Sequence, residues 1–264
     1  MSTTRYLTLA IMAAILIPAT CLLVSHTRED IFRRPVPNFV RTEIGDRTTF
    51  TPEEKQRILQ IANSYRSIVE PPATGMRELM WDEDLEEFAK NWTQKCIGTH
   101  SHRNMTKKFM KDKPHTWKVW DYMGEAIYYN YGSTYSIEEA FWMFWNEGKD
   151  YDIKQPKCTH IYTCGHYQVI TTAKTSRVGC ALNKCQHFSK STYPTPAIFL
   201  ACSFDARYFE DARPYEVGSR CSACRGYGYS FQYCRHGLCI SPNMRKYNTG
   251  YDGSTDSVGV TGLQ

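Results

Sequence analysis

Nothing in this 264-residue chain concentrates charge of one sign. The formal balance is +5 at pH 7 and the basic residues are scattered, with Lys107-Lys108 and the nearby Lys111 and Lys113 as the one notable cluster. A nucleic-acid binder gathers such charge on one face of a recognisable module, and no such module is present, so no nucleic-acid partner is expected. The lysines read as a solvated surface, with anionic lipid or sulfated glycan as the alternative partner. Internal repeats, heptad arrays and phosphate-cradling glycine loops are also missing, which removes solenoids, coiled coils and P-loop chemistry from consideration. Beyond Cys239 the tail, residues 242–264, is polar and has no apolar stretch, so neither a C-terminal membrane span nor a lipid-anchor signal is expected.

What the chain has in abundance is cysteine and aromatic residues. Ten of its 11 cysteines fall between Cys96 and Cys239, and Cys21 lies inside an N-terminal apolar run. Arg5 followed by Leu7 to Val24 has the shape of a secretory signal over residues 1–25, with an uncleaved signal anchor as the alternative; a membrane is a partner only if that segment is retained. Cleavage that removed Cys21 would leave an even number of thiols, as a disulfide framework in an oxidising compartment requires. Cys221 and Cys224 form a C-x-x-C, which could nucleate a metal knuckle or a redox pair, but Cys234 and Cys239 lack the spacing of a second knuckle. Asn91-Trp92-Thr93 and Asn104-Met105-Thr106 are glycosylation acceptors if the chain enters the secretory pathway. Hydrophobic content of 42% and charged content of 22% are those of an ordinary folded core, while 14% aromatic suits a wide sheet or a cleft.

Taken in order, residues 26–49 show no periodicity and read as an extended arm. Thr51-Pro52-Glu53-Glu54 is a capping box with proline at the first helical position, and Ile58, Ile61, Ala62, Tyr65 and Ile68 share one face of the helix that follows. Pro71-Pro72 ends it. Asp82 opens a second amphipathic helix carrying Leu85, Phe88, Ala89, Trp92 and Cys96, and Ser136 opens a third carrying Ile137, Ala140, Phe141, Phe144 and Trp145. Residues 103–122 read as a long irregular connection. Cys164 to Thr172, Val178 to Leu182 and Ala197 to Phe204 are rich in Val, Ile, Thr or Phe and read as strands, the first of them carrying His166 at its start.

Pro71-Pro72-Ala73, Trp81-Asp82, Cys96 with His100, Gly124-Glu125, Trp145-Asn146-Glu147, Cys164-Gly165-His166-Tyr167, Gly179-Cys180-Ala181 and Cys202 together resemble the CAP superfamily of cysteine-rich secretory, antigen 5 and pathogenesis-related 1 proteins. Cys221-Ser222-Ala223-Cys224 and Cys234 to Cys239 are similar to the short cysteine-rich hinge of its glioma pathogenesis-related branch. The resemblance implies an α+β fold, a three-layer α-β-α sandwich with a mainly antiparallel sheet over residues 50–213, then a hinge over 214–241. It also implies disulfides Cys96–Cys185, Cys158–Cys164, Cys180–Cys202, Cys221–Cys234 and Cys224–Cys239, pairings that spacing by itself leaves open.

By the same resemblance His100, Glu125, Glu147 and His166 meet in a broad cleft, beside Tyr167, where the two imidazoles can hold a divalent metal such as zinc. Imidazole nitrogen suits zinc, and the two carboxylates can orient the rings from behind. The bland reading is equally open: His–Glu pairs can satisfy each other and fasten helices to a sheet with no ligand at all. No required cofactor is expected. Ser101 and His102 adjoin His100, yet adjacency in sequence is not the oriented geometry that activates a nucleophile. The chain departs from the family's usual Gly-His-Tyr-Thr-Gln-Val-Val-Trp at its Thr, Gln and Trp positions, here Gln168, Val169 and Thr172, and Ala62 stands where a histidine is usual. The expectation is a secreted, extracellular binding protein for a cell-surface or secreted protein, a sterol or another lipid, in reproduction or defence. A metal-assisted hydrolase using Glu125 or Glu147 as base is the alternative, and a protein anchored at the membrane by its N-terminal segment is the third reading.

Overall fold

In a computed structural model the chain is described at residue 32 and over residues 37–111, 123–160, 163–190, 196–209, 211–224 and 233–240. The signal segment, most of the arm before residue 37 and the polar tail lie outside the described residues.

Helix α1, Pro52–Ser67, starts where the capping box places it: Thr51 accepts from the Glu54 backbone while the Glu54 side chain accepts from the Thr51 backbone. Helix α2, Glu83–Thr93, is capped by Asp82, whose carboxylate accepts from the backbones of Asp84 and Leu85. Helix α4, Ile137–Asn146, is capped in the same way by Ser136. These three starts follow the sequence reading.

Two expectations are corrected. Residues 103–122 are not wholly irregular, because Arg103–Lys111 forms helix α3. Its Met105 packs beside the cluster around Trp92, and its Phe109 ring lies 4.9 Å from Phe88, so docking onto α2 stabilises a segment whose own apolar repeat is short. The second correction is larger. Gly165–Ile170 is a helix, α5, and not a strand, so His166 stands on a helical turn. Val, Ile and Thr favour extended backbone locally, but here Thr171 and Thr172 return their hydroxyls to the carbonyls four residues back, at 2.7 and 2.8 Å, and Val169 and Ile170 are buried.

The sheet runs β2 (Met80–Trp81), β7 (Arg177–Cys185), β8 (Ala197–Phe204), β3 (Gly124–Tyr131), parallel at its first pair and antiparallel at the other two. Register assigns its faces. Gly179, Ser203 and Glu125 stand side by side on one face, and Cys180, Cys202 and Ala126 on the other. The first face receives α2, which approaches so closely that a Cβ on Gly179 would lie 2.1 Å from the Glu86 nitrogen. Small neighbours Ala181, Ala197 and Ala201 continue that close seat. The second face carries the larger core, in which α1, α4 and α5 pack together over Val178, Leu182, Ile198, Leu200 and Phe204. Helix, sheet, helix: the three-layer sandwich is present.

Smaller pairs trim the edges: β1 (Thr42–Glu43) with β4 (Thr134–Tyr135), β5 (Tyr151–Asp152) with β6 (Lys157–Cys158), and β9 (Tyr233–Arg235) with β10 (Leu238–Ile240). The five disulfides implied by the resemblance are formed: Cys96–Cys185, Cys158–Cys164, Cys180–Cys202, Cys221–Cys234 and Cys224–Cys239. Each such closure typically contributes ~2–4 kcal/mol, largely by restricting the unfolded chain.

One buried residue ties α1 to the end of α5 and to the segments that lead into β2 and β7, with no acid partner at hydrogen-bond distance among the described residues. Arg66, fully buried on α1, donates five times: to Arg77 O at 3.0 and 2.7 Å, Ile170 O at 2.8 Å, Thr172 O at 3.0 Å and Thr175 O at 2.9 Å. Burial pushes this guanidinium down to about 9, and the five donations hold it in the cationic form at neutral pH. Ala62, one turn earlier, is wholly enclosed in the same core, so the position where a histidine is usual contributes packing here.

Candidate functional site

His100 follows α2 by a turn that the backbone fixes tightly. Cys96 takes a φ of 54° and Gly98 a φ of 72°, and a Cβ on Gly98 would meet the Phe188 ring at 2.4 Å. The Cys96–Cys185 bond holds this turn to the end of β7, and Ser189 donates to Cys96 O at 3.0 Å. Glu125 is the second residue of β3, Glu147 caps the end of α4, and His166 is the second residue of α5. Two of these come from the α2 side of the sheet and two from the other side. They meet around the β3 end of the sheet.

The geometry is paired. His100 Nδ1 lies 2.9 Å from Glu125 Oε2, which also accepts from the Ser101 backbone at 2.9 Å. His166 Nδ1 lies 2.7 Å from Glu147 Oε1, while Glu147 Oε2 accepts from the backbones of His166 at 2.8 Å and Tyr167 at 3.2 Å. The two imidazole centroids are 5.6 Å apart, and the Phe144 ring sits 5.0 Å from His166. Each ring therefore uses Nδ1 on a carboxylate and keeps Nε2. His166 Nε2 is buried and has no hydrogen-bond partner among the described residues. A buried nitrogen left in that state points to a missing companion, either water or an ion.

That pattern fits a metal with two protein ligands. Carboxylate at Nδ1 fixes the tautomer that presents a lone pair on Nε2, which is how histidines are oriented toward zinc. The His100 side chain is 56% exposed, whereas Glu125 behind it is 9% exposed, so the ring faces water and its orienter does not.

The cleft holds about 990 Å³. Of the predicted residues His100, Glu125 and His166 line it, with Glu147 behind His166, and beyond them Arg103 and Lys107 of α3 and Arg207, Tyr208, Phe209 and Asp211 of the segment after β8. Sequence reading places none of the latter in the cleft: Lys107 stands out there only as part of a basic cluster, and the segment after β8 carries no motif. The Arg207 guanidinium stacks 4.9 Å over Phe209, which is half-exposed. Val169, standing where the family has Gln, forms part of the wall and makes it apolar.

Tyr167 is a correction. It is buried among Trp145, Tyr151 and Phe32 at ring distances of 5.5, 5.8 and 6.0 Å, so its ring belongs to the core, while its backbone N–H donates to Glu147. Ser203 was missed. As the cross-strand neighbour of Glu125 it lies on the same face, and both its Oγ and Glu125 Oε1 are buried without a partner among the described residues. Among the described residues no serine, threonine or cysteine side chain hydrogen-bonds to either imidazole ring, so no nucleophile is paired with a base. Asn91 and Asn104 are both exposed, on α2 and in the first turn of α3. No helix of the described residues is long and apolar enough to cross a membrane.

Comparison with known proteins agrees with this architecture. Residues 59–204 match the family model described as the Cysteine-rich secretory protein family, CAP. GLIPR1-like protein 1 of Mus musculus is 30% identical over 199 residues, covering 75% of this chain and 77% of that protein. Peptidase inhibitor 16 of Bos taurus is 29% identical over 196 residues, 74% of this chain, which spans only 38% of that longer protein. Among solved structures, the hookworm platelet inhibitor superposes with a TM-score of 0.56 at 18% identity, covering 73% of this chain and 93% of that one, a likeness of fold. The disulfide-pinned α-β-α sandwich and the matched residues together place this chain in the CAP family of cysteine-rich secretory proteins, in its glioma pathogenesis-related branch.

Proposed function

We propose that the protein is a secreted, extracellular binding module whose cleft recognises its ligand with a divalent cation, zinc by ligand type, held between His100 and His166. One observation carries the reading. Three of the four carboxylate oxygens are already committed to imidazole Nδ1 atoms and backbone N–H groups, and the fourth, Glu125 Oε1, is buried, so what the two rings present to the cleft is Nε2. A cation there would supply a Lewis-acid contact for an oxygen-bearing ligand, and two protein ligands leave positions open for it. Glu125 and Glu147 would hold the rings in place, and the apolar wall of Val169, Tyr208 and Phe209 suits the body of a sterol or other lipid, or an apolar side chain of a protein partner. Secretion is supported by the five disulfides, by the N-terminal apolar run and by the family; glycans at Asn91 and Asn104 fit their exposure.

The test is calorimetric titration of the purified full chain with zinc, then of sterol or lipid with and without chelator. Zinc binding that vanishes in His100→Ala/His166→Ala and ligand binding that weakens with chelator are expected. A hydrolase would behave otherwise: turnover of a peptide or ester panel that disappears in Glu125→Gln or Glu147→Gln would replace this reading.

A further inference from the structure

The Cys221-Ser222-Ala223-Cys224 motif lies in the hinge, outside the cleft. Its two cysteines belong to different disulfides, Cys221–Cys234 and Cys224–Cys239, yet the sulfurs of Cys221, Cys224 and Cys239 all lie within 4.8 Å of one another. The two bonds differ sharply in access. Cys234 is exposed and Cys221 half-buried, whereas Cys224 is 3% and Cys239 0% exposed. An external thiol can reach the first bond and not the second.

We propose that the hinge is a thiol-disulfide exchange site that takes a small thiol at Cys234 and relays the exchange inward to Cys239. The incoming thiolate forms a bond to the Cys234 sulfur, and the Cys221–Cys234 bond breaks with its electron pair leaving on Cys221. The Cys221 thiolate then attacks Cys224 Sγ, making Cys221–Cys224 and breaking Cys224–Cys239, and Cys239 leaves as a thiolate that takes up a proton. Two disulfides and one thiol enter, and two disulfides and one thiol remain, so no further oxidant or reductant is needed.

Three local features favour the inward step. The attacking sulfur is already beside its target, so the second exchange is intramolecular and outruns attack by a second external thiol. Cys224 N donates to Cys221 O at 3.2 Å, a tight turn whose ends come within the Cα separation a disulfide spans. Cys221 holds a φ of 64°, in the left-handed region that costs a non-glycine residue energy, and freeing it from Cys234 gives that residue room to relax. The released Cys239 lies where β10 meets the core, its N–H donating to Met76 O at 2.7 Å and its carbonyl accepting from Glu78 N at 3.0 Å. The exchange thus uncouples the hinge turn from the strand that docks it.

The experiment is exposure of the intact, fully oxidised protein to reduced glutathione, with acid quench, alkylation and disulfide peptide mapping. The expected products are glutathione on Cys234, a Cys221–Cys224 link and alkylation confined to Cys239. Alkylated Cys221 with Cys224–Cys239 intact would overturn the proposal, as would absence of glutathione on Cys234. In Cys221→Ser/Cys234→Ser the relay has no attacking sulfur, so alkylation of Cys239 should fall to background under the same treatment. Labelling of Cys239 at the wild-type rate in that variant would show direct attack on the buried bond and would also overturn it.

Discussion

Arg66 and the His100–His166 pair are nitrogen-rich centres at the two ends of α5, and they are finished to different degrees. Arg66 is fully buried and spends five N–H donations on four carbonyl oxygens, leaving it nothing to offer a ligand. The two imidazoles spend one nitrogen each on a carboxylate and keep the other, in a cleft open enough that the His100 side chain is 56% exposed. The lesson is that saturation separates a polar group serving the fold from one available for binding, better than burial does: His166 Nε2 is buried too, and has no partner among the described residues.

The sharpest way to break this contrast is Arg66→Met. Removing the guanidinium withdraws five donations from buried carbonyls, of which Thr172 O keeps the Thr175 N–H at 3.1 Å, and the expected loss is ~3–5 kcal/mol of unfolding free energy in denaturant titration. A loss below ~1 kcal/mol, the worth of one ordinary hydrogen bond, would show that water replaces the side chain and that the centre is not closed. The mirror experiment is His100→Ala/His166→Ala. Zinc binding should be abolished in calorimetry while the melting temperature without metal moves by only a few degrees, since the rings are partly exposed and each bonds a carboxylate that keeps backbone donors.

These two outcomes also gauge what the chain discloses before folding. Caps at Thr51, Asp82 and Ser136 are local signals, each a side chain bonding a backbone two or three residues on, and so they are legible. The tetrad was legible only through the resemblance, because His100 and His166 are brought together by the sandwich and not by spacing. Helix α5 was misread as a strand because its Val-Ile-Thr-Thr run obeys a weak local preference, while its geometry is imposed by hydroxyl back-bonds and by Arg66 gripping the carbonyls of Ile170 and Thr172. The cleft rim at Arg207 to Asp211 had no pattern to read.

A smaller effect is expected behind the rings. Glu147→Gln keeps the shape but weakens the orientation of His166, and zinc affinity should drop ~10-fold, within the usual range for a residue that positions a ligand. An unchanged affinity would mean that Phe144 packing alone fixes the ring.

The smallest effect lies at Glu54, which resembles Arg66 in being satisfied and the histidines in being partly open. Burial pushes its carboxyl up, but donations from Arg47, Tyr135 and the Thr51 backbone outweigh this and set it below the usual carboxylate range. A depressed folded-state value means its stabilisation is complete above the unfolded glutamate range and is lost as pH falls through the folded-state value. Glu54→Gln should therefore cost ~1 kcal/mol at neutral pH, the typical worth of a cap, and flatten the acid side of the stability profile. An acid limb identical to that of the wild type would remove Glu54 from the account.

The placement of the tetrad around the end of β3 has a mechanical consequence. One imidazole arrives with the layer on one side of the sheet and the other with the layer opposite, so an ion shared by both would act as a rivet through the sandwich. Loading it would then raise the force and the temperature at which the layers part, by an amount set by how far its concentration exceeds its dissociation constant. Prising the layers open would, by the same linkage, eject the ion.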